Sequence, residues 1–262
     1  MLTRFRALAP YFVPIFFGAC LFVVARSVPY IQPQWRSGTL LALCIVAVAV
    51  VGGAAFIASR VAGMFGRRSL HVAMIPTMFS LGAFGLFILV EHDLTRYAVA
   101  ALSMGLLSAH FAYVIGMHEE RSRYTVEELA HLSFALLVVT SFFFFALAFG
   151  ISSFTALPEI VIAPATGVLI ALFAWETLWE EELATRRSVP VALAFGVLGA
   201  ELTAALSFLP TSWSVDAAVA LILFVSALLA AVRILKGVQL LRRQFMMTLS
   251  LTLLVLGTAR WS

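Results

Sequence analysis

Charge is what this sequence has least of. Charged residues fill 11% of its 262 positions, against roughly 25% in an average soluble domain. Apolar residues fill 63%, and mean hydropathy is +1.05. A soluble globule with so few charges would leave its surface in apolar patches and aggregate. Disorder is excluded by the same figures, because a disordered chain is poor in apolar residues and rich in charge. Lysine occurs once, as Lys236 at a loop, so no mid-helix lysine is present to carry a retinal-type Schiff base. There are 2 cysteines, Cys20 and Cys44, with no CxxC or zinc spacing. They read as small hydrophobes. Both fall at a similar predicted depth, which leaves a disulfide between them open.

Long polar stretches are missing too. The longest polar interval runs from Met117 to Glu128, too short for a soluble domain. No Walker loop, GxGxxG, GxSxG or HExxH occurs, and no metal or cofactor set is predicted. ATPase, kinase and DNA-binding readings fall away. The net charge of +4 comes from basic residues in short loops, where they set membrane topology instead of meeting nucleic acid.

What is present is a series of long apolar runs. They are Pro10–Ala25, Gly38–Ser59, His71–Val90, Tyr97–Met117, Leu129–Ile151, Ile160–Trp179, Pro190–Leu209 and Val215–Leu235, with a shorter ninth at Phe245–Ala259. A helical span needs about 20 mostly apolar residues. Barrel strands would alternate with period two, and these runs do not. The expectation is an all-α, polytopic transmembrane helix bundle of eight or nine spans without a soluble domain. Thr125 and Glu128 form a Thr-x-x-Glu capping box before the fifth run. Ser214 with Asp216 is placed to cap the eighth. Pro158, Pro190 and Pro210 stand at run boundaries, where a missing N–H does little harm.

Thirteen of the 17 Lys and Arg residues fall at the N-terminus and in the even-numbered connections, and four on the other side. The positive-inside rule then places the N-terminus in the cytoplasm of a multi-pass plasma (inner) membrane protein. Should the short ninth run lie in the interface, the C-terminus stays inside. Arg4 and Arg6 before the first run, with Val23 and Ala25 near its end, also fit a signal peptide. The further spans that follow favour a retained helix.

Sliding the chain by 62 residues puts Ala101, Gly105, Leu107, Ala109, Phe111 and Ala112 on Ala163, Gly167, Leu169, Ala171, Phe173 and Ala174. Glu119-Glu120 then falls on Glu181-Glu182, and with a one-residue gap Thr140 falls on Glu201. Residues 97–151 and 160–209 thus read as two copies of a hairpin, against the rival that an Ala-, Leu- and Phe-rich chain matches itself by chance. Some transporters place their site between such copies.

Glu201 is the most informative polar residue. It sits near the middle of the seventh run, where an ionised carboxylate costs at least ~2.5–3.5 kcal/mol on insertion scales. It must be protonated, paired or facing water, or serve as a plain interhelical hydrogen bond. Ala192, Gly196 and Ala200, with Gly199, form a small-residue ridge beside it, so it can point into an interhelical seam. Ala49–Gly53 and Ala54–Ala58 make a similar ridge in the second run. His110, Tyr113, His131, Glu176 and Arg233 lean toward the cytoplasmic half, within roughly 3–11 Å of the inner boundary, with Glu201 about 16 Å deep. Facing one another, they would line an inward-opening polar seam with Glu201 at its bottom. Glu176, His131 and Arg233 can equally snorkel to the headgroups.

Sharper readings fail. Glu181-Glu182-Leu183-Ala184-Thr185-Arg186 has the EExxxR spacing of CAAX-type intramembrane proteases, but no His follows His131. A bis-His haem would need two imidazoles at one depth, and His110 and His131 differ by roughly 8 Å. The acids of the loops, Glu119, Glu120, Glu127, Glu128 and Glu180 to Glu182, could bind a divalent ion or a basic partner, but such acids are more often a solvated rim with local ion pairs.

Glu201 through Ser207-Phe208-Leu209-Pro210-Thr211, with Thr258-Ala259-Arg260-Trp261, resembles an uncharacterised bacterial family of multi-span membrane proteins. The resemblance rests on those residues and the layout of spans. It implies a bacterial inner-membrane protein of eight or nine helices, and it carries no activity or site residues. Three functions follow as expectations. One is a non-enzymatic carrier, or the membrane subunit of a larger complex partnered by other subunits or by itself. A second is an intramembrane enzyme acting on a lipid or isoprenoid with Glu201 and His110 as acid and base. The third is a scaffold or sensor.

Overall fold

A computed structural model describes residues 2–27, 33–90, 92–119, 126–155, 157–181, 183, 188–209, 211–238 and 242–258. Among them the chain is a succession of nine helices without strands: α1 Leu2–Ser27, α2 Pro33–Val61, α3 Arg67–Leu89, α4 Asp93–Glu119, α5 Val126–Phe154, α6 Glu159–Glu180, α7 Ser188–Leu206, α8 Trp213–Leu235 and α9 Arg242–Thr258. Each apolar run becomes one helix. Seven of them, α2 to α8, are long and apolar enough to cross a membrane, and shorter apolar stretches lie at Tyr11–Val24 and Met246–Thr258. The protein is thus a membrane-type helical bundle. Helices satisfy every backbone group within the segment, which hydrocarbon demands.

The chain divides into two compact units, Met1–Thr140 and Ser141–Ser262, so the boundary falls inside α5. In the first unit α1 packs on α4 and α2 on α3. Small residues permit the approach: a Cβ on Gly18 would strike the Met104 thioether, and one on Gly52 would meet Thr77 Oγ1 at 2.6 Å. The ridge expected in α2 is therefore shifted by one residue, since Gly53 opens onto space while Gly52 makes the contact. The α2–α3 turn needs two left-handed residues, Gly63 (φ 81°) and Gly66 (φ 64°), a conformation that glycine adopts without steric cost. At the other end of α3, the Arg96 Nε–H donates to the Val90 carbonyl at 2.6 Å and so ties down the α3–α4 connection. Cys20 and Cys44 are both free thiols.

In the second unit α6 and α7 cross with their backbones nearly touching. A Cβ on Gly167 would lie 2.6 Å from the Gly196 carbonyl oxygen, and one on Gly199 would lie 2.8 Å from Ile170 Cβ. The α7 ridge is therefore the packing surface that its sequence announced. Aromatic rings fill the rest of this core. Phe144 of α5 tilts against Phe173 of α6 (5.6 Å), and Phe145 and Phe195 both meet Phe224 of α8 edge-on (6.2 and 6.0 Å). The Thr248 hydroxyl donates to Ser226 Oγ at 2.8 Å, so α9 turns back alongside α8 and does not lie apart from it.

Two cap expectations come out differently. Thr125 lies outside the described residues, and Glu128 instead accepts a hydrogen bond from the Tyr113 hydroxyl. The N-cap of α8 is Ser212, which makes no side-chain cap bond, and Asp216 accepts from the Thr211 hydroxyl. Its carboxylate closes the loop before α8 instead of capping the helix.

Candidate functional site

The predicted site residues divide between the units. His110, Tyr113, His131 and Thr140 belong to the first, and Glu176, Glu201 and Arg233 to the second. Each group is described within its own unit.

In the first unit the polar residues have unlike surroundings. His131 is exposed, one turn further into α5 than its sequence position implied, because that helix begins at Val126. Thr140 is fully buried and returns its hydroxyl to the Leu136 carbonyl of its own helix at 2.6 Å, which removes any need for a ligand. Tyr113 is half-buried and bound to Glu128, so it links α4 to α5. His110 stands apart. It is 1% exposed on the buried face of α4 that also carries Ser103, Leu107, Phe111 and Val114. Its ring meets Phe111 edge-on at 6.0 Å and lies against the backbone of Val72 in α3. Neither ring nitrogen closes a hydrogen bond of full geometry, and neither does the Ser103 hydroxyl two turns earlier on the same face. Buried polar groups left in this condition are uncommon in folded proteins, and each calls for a physical explanation.

In the second unit the expected seam does not form around Glu201. The residue is exposed. The helix also ends at Leu206, three residues before the apolar run does, because Ser207 and Leu209 continue into a tight turn ahead of Pro210. Glu201 therefore lies about 8 Å from the C-terminal end of α7 and not at its middle. The physical reason for its facing is rotational. Ala192, Phe195, Gly196, Gly199 and Thr203 are buried, and the residues between them turn outward. Glu201 shares that outward stripe with Val189, Leu193 and Val197, an otherwise apolar surface on which Leu193 and Val197 are 60% and 59% exposed.

Of the two settings open to Glu176, a buried one and a reach to the headgroups, it has the buried one and is fully enclosed in α6. The Gly167–Gly196 and Ile170–Gly199 contacts set the register of the antiparallel pair, which leaves Glu176 more than ~12 Å along the axis from Glu201. Arg233 is half-buried in the last turn of α8. On the rim, Lys236 pairs with Glu181, and both are substantially exposed. Among the described residues no group of His, Cys, Asp and Glu could hold a metal ion.

Three residues have settings that the sequence pattern does not give. Asp216, placed to cap the eighth run, is a buried carboxylate. Ser103 gave no signal, since serine is common in apolar helices. Pro76 lies inside α3, away from any run boundary, and that interior position was the available clue. The aligned glycines of the apparent repeat also sit in unlike settings, with Gly167 in the tight crossing and Gly105 open. No family model matches the chain, and neither the curated proteins nor the solved structures contain a match to it.

Proposed function

We propose that this chain is a membrane-embedded, non-catalytic subunit of a larger assembly in a bacterial inner membrane, and that the Glu201 face of α7 meets a helix of another subunit. One observation carries the reading: an ionisable side chain is exposed in the midst of an apolar stripe of a spanning helix. Left facing hydrocarbon as a carboxylate, it costs up to ~2.5–3.5 kcal/mol, the insertion-scale figure for a helix centre. A neighbouring helix that offers a cationic or hydroxyl donor at that depth removes the cost, and the apolar residues one and two turns away supply the rest of the contact. The outward facing supports a subunit over a carrier, which would hold the acid in its own interior. The Lys and Arg bias supports an orientation with the N-terminus in the cytoplasm.

The test is in-membrane photo-crosslinking. A benzophenone side chain replaces Val197, one turn from Glu201, and in a control replaces Leu41 of α2, which is equally exposed on a purely apolar surface. The expected result is a discrete protein adduct from position 197 and lipid adducts alone from position 41. Glu201→Leu is expected to lower the protein adduct about tenfold, the effect of losing 1.4 kcal/mol of binding. Lipid adducts alone at both positions overturn the reading.

A further inference from the structure

Pro76 interrupts α3 in its interior. Proline has no amide hydrogen, so the carbonyl four residues earlier, that of Val72, loses its helical donor. Near a helix end water or headgroups would serve such a carbonyl, as at Pro164 of α6, whose counterpart Ile160 is among the most exposed residues of the chain. Val72 is buried, so that route is closed to it. Proline is tolerated inside spanning helices where neighbouring groups re-satisfy the freed backbone. The nearby hydroxyls are engaged elsewhere: Thr77 donates to the Ala73 carbonyl at 2.6 Å and Ser80 to the Pro76 carbonyl at 2.8 Å. The imidazole described above lies at this level, pressed from α4 against the Val72 backbone.

We propose that His110 stands in for the amide that Pro76 lacks: its ring N–H serves the Val72 carbonyl and latches the Arg67–Ile75 arm of α3 to α4. That arm is bounded by two points of conformational freedom. One is Pro76, and the other is the left-handed Gly63–Gly66 turn. A helix segment set between a proline and a glycine turn is built to swing as a unit, and the latch decides where it rests. A neutral imidazole suits the task because it offers one donor and keeps its second nitrogen as an acceptor, with the backbone contact selecting the tautomer. The latch is one hydrogen bond, so its loss shifts the position of the arm by a moderate factor and leaves the fold intact.

The experiment is amide hydrogen exchange of the Arg67–Ile75 segment in the full-length chain in lipid nanodiscs. His110→Met removes the donor at similar size, His110→Gln retains one, and Pro76→Ala restores the missing amide. In the native background His110→Met is expected to speed exchange in the arm roughly three- to tenfold, the scale of one hydrogen bond within a membrane. In the Pro76→Ala background the same change is expected to have no effect, and His110→Gln is expected to keep native protection. An unchanged rate for His110→Met overturns the proposal. So does an equal increase in both backgrounds, which would make the ring a packing group only, and so does a Gln variant as fast as Met. If His110→Met does not fold, the proposal requires Pro76→Ala to restore folding, and failure in both backgrounds overturns it.

Discussion

Thr211 and Asp216 close the loop ahead of α8 with a hydroxyl donated to a carboxylate that is 5% exposed. Removing the donor at constant shape leaves the acid short of a partner in a site water barely reaches. Thr211→Val is therefore expected to cost about 1–3 kcal/mol. Thr211→Ser should cost less, and both are read from thermal unfolding of the purified protein in detergent. Adding Asp216→Asn to Thr211→Val should recover part of the loss, because the pair is coupled. Glu201 carries the opposite lesson at this scale. That an acid occurs in the seventh run is plain from composition, yet its facing depends on rotation about the helix axis: Gly199 and Thr203 are buried, and Glu201, two residues and so about 160° from each, is exposed. A ridge of small residues names the packing face, but not which of the residues beside it turn out. His110 and Glu176 were placed by depth alone. Burial of both came from neighbours that no spacing reveals.

Between helices, packing is set by where Cβ atoms are missing. Gly167 and Gly196 face each other backbone to backbone, and a methyl group on either would strike a carbonyl that cannot yield. Gly167→Ala is expected to destabilise by about 1–3 kcal/mol through forced separation of α6 and α7. Gly53→Ala, with nothing within 4 Å, should be neutral or stabilising by up to about 1 kcal/mol from helix propensity. Paired melting temperatures check the contrast. Most helix boundaries were readable to within a few residues because apolar runs and their polar flanks mark them, but α1 and α2 begin at Leu2 and Pro33, well ahead of the runs at Pro10 and Gly38, because a helix extends through polar flanks that hydropathy leaves out. The early end of α7 was hidden for the opposite reason: Ser207-Phe208-Leu209 is apolar enough to extend a run while its backbone already turns. α9 was ambiguous for a related reason. Its run is short, and its packing on α8 together with the Thr248–Ser226 hydrogen bond aligns it with a spanning neighbour.

For the molecule as a whole, the measurable quantity is topology. In the orientation proposed from the Lys and Arg distribution, the α5–α6 connection lies outside and the α6–α7 connection inside. Alkaline phosphatase fused after Leu157 is expected to be active, and after Glu181 inactive. A fusion after Thr258 should be active, since α9 returns alongside α8. Activity after Glu181 would reverse the orientation, and inactivity after Thr258 would keep α9 from crossing.

Composition, run length and the lack of period-two alternation determined that this chain is of membrane-spanning helical character, because hydrocarbon admits only helices and closed barrels and these runs do not alternate as barrel strands would. Run by run they also set how many helices form and roughly where each ends. What they left undetermined is azimuth, the direction each side chain faces once its helix has neighbours. Tertiary packing turned Glu201 outward and Glu176 inward, and brought His110 against the helix whose carbonyl Pro76 had freed. Hydrophobicity acts through area and depth, which a linear sequence records. Facing is set by contacts between helices far apart in sequence, which it does not.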